Sequence, residues 1–121
     1  MNIFKHRVFQ QWATTEGLTD DTLKTAVIEL NNGLHDGNLG GGLYKKRIAR
    51  PGQGKRGSYR TLLAFKHDSR AFFIYGFSKN ELDNITLKER SAYKALAKIL
   101  LNTDKKTLNN MIQSGSIIEI Q

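Results

Sequence analysis

Between residues 43 and 77 the chain holds three consecutive runs with the period and composition of β-strands, and this limits its fold more than any other feature. The runs are 43–49 (LYKKRIA), 58–66 (SYRTLLAFK) and 70–77 (RAFFIYGF), rich in aromatic and β-branched types. His67-Asp68-Ser69 between the last two has hairpin length. The connection at 50–57 is longer, carries Pro51 and three glycines, and presents Arg50, Lys55 and Arg56. Together these runs predict an antiparallel meander.

Helical period flanks the meander on both sides. Phe9, Trp12 and Ala13 fall at i, i+3 and i+4, and Gly17 is placed to end that helix in a left-handed conformation. Thr19 reads as the N-cap of a second helix, with Asp20 and Asp21 at the positive end of its dipole and Leu23, Ala26, Val27 and Leu30 as its apolar stripe. Asn31-Asn32-Gly33 stops it, and residues 33–42, GLHDGNLGGG, read as a glycine-rich linker or loop. Ile3 to Lys5 fits a short first strand.

Beyond the meander, Thr86 and Glu89 fit a capping box, followed by a helix with Tyr93, Leu96, Ala97 and Leu100 on one face. Thr103 or Asp104 caps another short helix with Leu108, Met111 and Ile112 inward, ended by Gly115. Residues 117–120, IIEI, either add a last strand or contact a partner. The expected class is α+β, a helical hairpin on a small antiparallel sheet in β-α-α-β-β-β-α order. A single domain over 1–121 is expected, with 101–121 as a C-terminal helical extension.

Composition narrows the function. With 121 residues, 39% of them apolar, the chain can bury a core, and its absence of Cys excludes a disulfide scaffold, a thiolate metal site and a Cys nucleophile. No apolar run approaches membrane length, and the first residues lack a signal-peptide pattern, so a soluble, cytoplasmic protein without a membrane partner is expected. Net charge is +8, concentrated in one stretch. Residues 43–79 hold ten bases and one acid, net +9, whereas 1–42 are net −2 and 80–121 net +1. Half of the ten are Arg, interleaved with Tyr44, Tyr59 and Tyr75. Such a patch attracts polyanions, nucleic acid above all.

Gly52-Gln53-Gly54-Lys55 is not a phosphate loop of the Walker type, because Ala49 and Arg56 stand where Gly and Ser or Thr are needed. His6, His35 and His67 are scattered, and neither a metal site nor a cofactor is expected. The strand bases are more informative. Period two puts Lys45 and Arg47 on one face. Arg60 shares a row with Leu62 and Ala64, where a charge signifies either an open anion-binding cleft or an Arg snorkelling at the rim. Lys79 follows the third strand. Neighbouring strands can gather all four cations on one sheet surface. Tyr44 or Tyr75 can stack a base or pack in the sheet.

The segments Gly42-Leu43-Tyr44-Lys45-Lys46-Arg47-Ile48, Gly54-Lys55-Arg56-Gly57-Ser58-Tyr59-Arg60 and Tyr75-Gly76-Phe77-Ser78-Lys79-Asn80-Glu81 resemble toxins of the RelE/ParE superfamily, closest to the HigB-like branch of type II toxin–antitoxin systems. The match spans about residues 3 to 100. It implies a ribosome-dependent, metal-independent mRNA endoribonuclease that inhibits translation and is held inactive by a cognate antitoxin, of helix-turn-helix type. Lys45, Arg47, Arg60 and Lys79 take the positions of the family's catalytic bases. Lys46, Arg50, Lys55, Arg56, Tyr59 and Asn80 are the implied RNA-binding residues, with mRNA and the ribosome as partners. The chain departs from the best-known ribonucleases at Asn80, where they carry Arg, and at Asn84-Ile85, where they carry Tyr. Two other readings keep the fold: a ParE-like DNA gyrase inhibitor without nuclease activity, which would not need the strand cations, and a catalytically silent basic RNA-binding module.

Overall fold

Short-range capping sets most element boundaries. The computed structural model describes residues 1–50, 54–78 and 85–121, with backbone alone at 50 and 54–57. Strand β1 (Asn2–His6) runs directly into helix α1 (Arg7–Glu16). His6 Nδ1 caps that helix by accepting from the Val8 N–H at 3.2 Å. Gly17, at φ 75°, closes α1 with its N–H directed at the Ala13 and Thr14 carbonyls, as the sequence predicts. Thr19 caps α2 (Asp20–Asn31), and all four residues of the expected stripe are buried.

The next segment differs from expectation. Residues 37–40 are not loop but β2 (Gly37–Gly40), paired antiparallel with β3 (Leu43–Arg50). The entropic cost of ordering glycine is offset here by ladder hydrogen bonds, and Gly40, Gly41 and Gly42 all take positive φ to make the tight return. β4 (Gly54–Lys66) begins earlier than its apolar pattern, and β5 (Arg70–Ser78) follows a turn in which Asp68 is left-handed at φ 56°. Asn31 clamps that turn reciprocally, its amide donating to the Asp68 carboxylate at 2.9 Å and its oxygen accepting the Asp68 N–H at 3.0 Å. The capping box forms at α3 (Leu87–Asn102) through Thr86 and Glu89. Asp104 caps α4 (Lys105–Gln113).

The last four strand residues, β6 (Ile117–Ile120), resolve the open question at 117–120: they add a strand. Among the described residues the strands form one six-stranded sheet in the order β2-β3-β4-β5-β1-β6. The class is α+β, but the sheet is mixed rather than antiparallel. β1 lies parallel to β5, in register from Asn2↔Arg70 to Lys5↔Phe73, and antiparallel to β6. A parallel neighbour distant in sequence is invisible to local pattern.

Helices cover both faces. On one, α1 and α2 bury Phe9, Leu23, Val27, Leu63 and Phe73. On the other, α3 and α4 bury Phe4, Leu43, Leu62, Phe72, Leu100 and Leu108. Each fully buried side chain of this size contributes roughly 1.5–3 kcal/mol. Arg70 ties α3 to the sheet by donating from its guanidinium to the carbonyls of Leu100 and Thr103 at the helix end. No helix among the described residues is long and apolar enough to cross a membrane.

Candidate functional site

Strict alternation along β3 and β4 sorts the basic stretch into two populations. Leu43, Lys45 and Arg47 take the α3 face of the sheet, and Tyr44, Lys46 and Ile48 take the α1/α2 face. On β4, Arg60, Leu62 and Ala64 share the α3 face, whereas Tyr59, Thr61, Leu63 and Phe65 lie opposite.

The ladder register then builds two adjacent cross-rows on the α3 face. Lys45, Leu62 and Tyr75 form one, and Arg47, Arg60 and Phe77 form the next. They lie about 7 Å apart along the strands. Tyr75 joins its row because of a β-bulge. The register shifts between Leu62 and Leu63, leaving Ile74 unpaired between Phe73 and Tyr75. With regular alternation from Phe73 through Ile74, Tyr75 would face α1. With the bulge, Tyr75 lies beside Tyr93 of α3 (ring centroids 5.6 Å) and Phe77 (5.8 Å), still 37% exposed. The same shift turns Gly76 under the Trp12 ring, where any Cβ would collide with the indole.

Arg60 dominates the electrostatics. It sits on an inner strand, only 9% exposed, and its Nε has no hydrogen-bond partner among the described residues. The Lys and Arg ion pairs among the described residues are Lys5–Asp20 and Lys46–Glu29, and neither involves Arg60, Lys45 or Arg47. The residue opposite Arg60 in the ladder is Arg47, a second cation. Like charges placed directly across a strand pair repel, and an unpaired buried polar group costs about 1–3 kcal/mol. Both penalties fall when an anion enters between the two guanidinium groups. Arg47 stands at the sheet edge, exposed, because β2 ends opposite Lys45. It also borders a groove against α2, and its N–H donates to Asp36 at 2.6 Å.

Above the first row lies a cavity of about 140 Å³ lined by Leu39, Leu43, Lys45, Leu62, Ile85, Arg90 and Tyr93. Burial, then the neighbouring Tyr75 and Glu89, push the Tyr93 phenol above its usual range. It therefore stays protonated at neutral pH and offers a hydroxyl donor rather than a base. Arg90 is a cation that strand-based reasoning missed. Its signal was present, since it lies three residues before Tyr93 on the inward stripe of α3, where a charge is unexpected.

The structure brings Lys45, Arg47 and Arg60 together and does not bring in two residues expected on the same surface. Lys46 is on the opposite face, 7% exposed and paired with Glu29 of α2 at 3.2 Å. Tyr59 is also opposite, buried beneath Trp12 in an edge-to-face contact. Tyr44 packs edge-on against Phe65 on that same face. Consecutive bases in sequence look like one group, but the pleat divides them. Lys79 and Asn80 lie outside the described residues, and so do the side chains of Arg50, Lys55 and Arg56.

The arrangement is a half-open basic cleft with an aromatic wall, suited to gripping a phosphate beside an unstacked base. Compared with known protein families, residues 1–120 match the model described as the RelE toxin of the RelE/RelB toxin–antitoxin system.

Proposed function

Because the chain belongs to the RelE toxin family of toxin–antitoxin systems and so has a cognate antitoxin as partner, we propose that it is a ribosome-dependent mRNA endoribonuclease whose active cleft is the α3 face of the sheet. The observation that carries this reading is Arg60: a nearly buried guanidinium on an inner strand, facing a second Arg and without an ion pair among the described residues. A buried cation without an ion pair does not add stability, since taking one charge out of water costs several kcal/mol. The fold retains one to meet an anion.

RNA carries its own nucleophile, the 2′-hydroxyl, so the protein has to align that group with the phosphate, stabilise the developing charge and handle two protons. In this reading Arg60 holds the scissile phosphate through its planar donors. Arg47 neutralises the charge that builds as the bridging oxygen departs. Lys45 adjoins both on the same face and is placed to exchange a proton with the reacting oxygens. Lys79, which follows β5, is assigned the partner role in acid–base transfer on the family resemblance. Tyr75 provides a stacking surface for a displaced base. Lys55 and Arg56, on β4 beyond Arg60, contribute grip on flanking phosphates or ribosomal RNA, and the antitoxin is expected to be of helix-turn-helix type. The HigB-like branch and a cytoplasmic site of action belong to the same reading.

Expression in a bacterium tests it. Growth arrest with transcripts cut on ribosomes, both abolished by Arg60→Ala, is the expected result. Arrest with intact transcripts rejects the nuclease.

A further inference from the structure

The cavity under α3 has features the cleft chemistry above does not use. Its walls are apolar, from Leu43, Leu62 and Ile85, and Tyr93 closes one side with a ring. Among the described residues three polar groups line it, Lys45 from β3 and Arg90 and the Tyr93 hydroxyl from α3. Arg90 donates weakly to the Leu39 carbonyl at 3.4 Å, and its Nε is buried with no partner among the described residues. Ammonium and guanidinium groups only donate hydrogen bonds. Among the described residues the cavity thus combines apolar walls, an aromatic side and a polar end rich in donors.

Its size is informative. At about 140 Å³ it is close to the roughly 150 Å³ void that accommodates a benzene ring. One six-membered ring fills it; a fused purine would extend beyond it through its open side. Lys45 lines this cavity and also stands in the row next to Arg60, so an occupant would be about one nucleotide from a phosphate on that Arg.

We propose that this cavity is a base pocket, which takes a single pyrimidine from the RNA strand beside the scissile phosphate and reads its carbonyl edge through Arg90 and Lys45. The inference rests on the RNA-cleaving reading for the identity of the strand, but it concerns binding and is measurable without cleavage. Uracil and cytosine both present an O2 acceptor to such donors, and the ring lies between the leucine wall and the Tyr93 face.

The test uses uncleavable 2′-O-methyl pentauridine, the same strand with one abasic site moved through its five positions, and pentaadenosine, with affinity read by fluorescence anisotropy on the full chain. For the wild type, an abasic site at one position is expected to weaken binding about tenfold, and pentaadenosine to bind less tightly than pentauridine. In Arg90→Leu that positional penalty should vanish while the salt dependence set by the strand cations persists. Ile85→Phe, which fills the cavity without touching a charge, should abolish the penalty too, with unchanged melting temperature confirming the fold. A uniform loss at all five positions, the same penalty in both variants, or no binding of any pentamer overturns the pocket. A positional penalty in a protein that leaves ribosome-bound mRNA intact keeps the pocket and discards the nuclease.

Discussion

One strand, β3, places neighbouring bases on opposite faces of the sheet and gives them opposite fates. Lys46 lies against α2, where Glu29 meets its ammonium, and Lys5 on β1 is matched likewise by Asp20 at 2.7 Å. Lys45 and Arg47, one residue away on either side, face the α3 side without such partners among the described residues. On the α1/α2 face Lys5 and Lys46 are neutralised in place. The α3 face is only partly covered, and its cations await a ligand. Charge in this protein therefore divides by face rather than by sequence position, and a run of bases is read correctly only after the pleat has been applied.

Substitutions can break that division. The largest difference is expected between Arg60→Gln and Lys46→Met. The first should lower cleavage of ribosome-bound mRNA by about 10²–10³-fold, the loss seen when one transition-state donor is removed, while the melting temperature stays level or rises because an unpaired buried charge has gone. The second should leave cleavage within about twofold. Equal losses in the two variants would abolish the distinction between faces.

Gly76→Ala comes next. A methyl at this position must displace Trp12 on the α1/α2 face, and overpacking of that kind costs about 1–3 kcal/mol. Urea unfolding followed by Trp12 fluorescence should show the loss with a shifted native spectrum; an unchanged midpoint would mean that the bulge does not fix the register of β5.

Smaller effects sharpen the comparison. Lys45→Ala should reduce the slope of log affinity against log salt by about 0.7 for a single-stranded RNA, one phosphate contact. Glu29→Gln should leave that slope alone and cost about 1 kcal/mol of stability or less, its carboxylate being half exposed. A Glu29→Gln slope that steepens would show Lys46 released to RNA.

The smallest effect concerns His6. Burial and then the adjacent Arg7 hold its imidazole below the usual 6.5. The unfolded chain therefore binds the proton more readily, and the associated stability is complete above about pH 6.5 and lost as the pH falls through the lower folded value. His6→Asn retains a capping acceptor for α1 without a titrating group. Its melting temperature should fall less than the wild type's between pH 7.5 and pH 5.5, and parallel curves for the two proteins would remove His6 from the acid response.

Features decided within a few residues were legible from sequence. Gly17, Thr19, the Thr86–Glu89 box and Asp104 mark helix ends because a cap satisfies orphan backbone groups locally. The shared face of Lys45 and Arg47, and the row of Arg60 with Leu62 and Ala64, followed from period two. Non-local features did not follow. β2 is held by its partner rather than by its own composition, and the parallel pairing of β1 with β5 joins residues 68 positions apart, as in Asn2↔Arg70. The bulge at Ile74 shifts the parity of every later residue in β5, which is why Tyr75 and not Tyr44 or Tyr59 reaches the cleft. Sequence position alone groups Lys46 with Lys45 and Arg47, and Arg90 comes from a helix outside the basic stretch.

The position of β1, between β5 and β6, also has a temporal meaning. Of the six strands it is synthesised first, yet its two flanking strands are the last two to be made. At about 5–20 residues per second, the interval from β1 to β6 takes on the order of ten seconds, during which the nascent sheet has a gap that local pairing alone cannot close. A toxin laid out in this order completes its sheet only after β6 has been made.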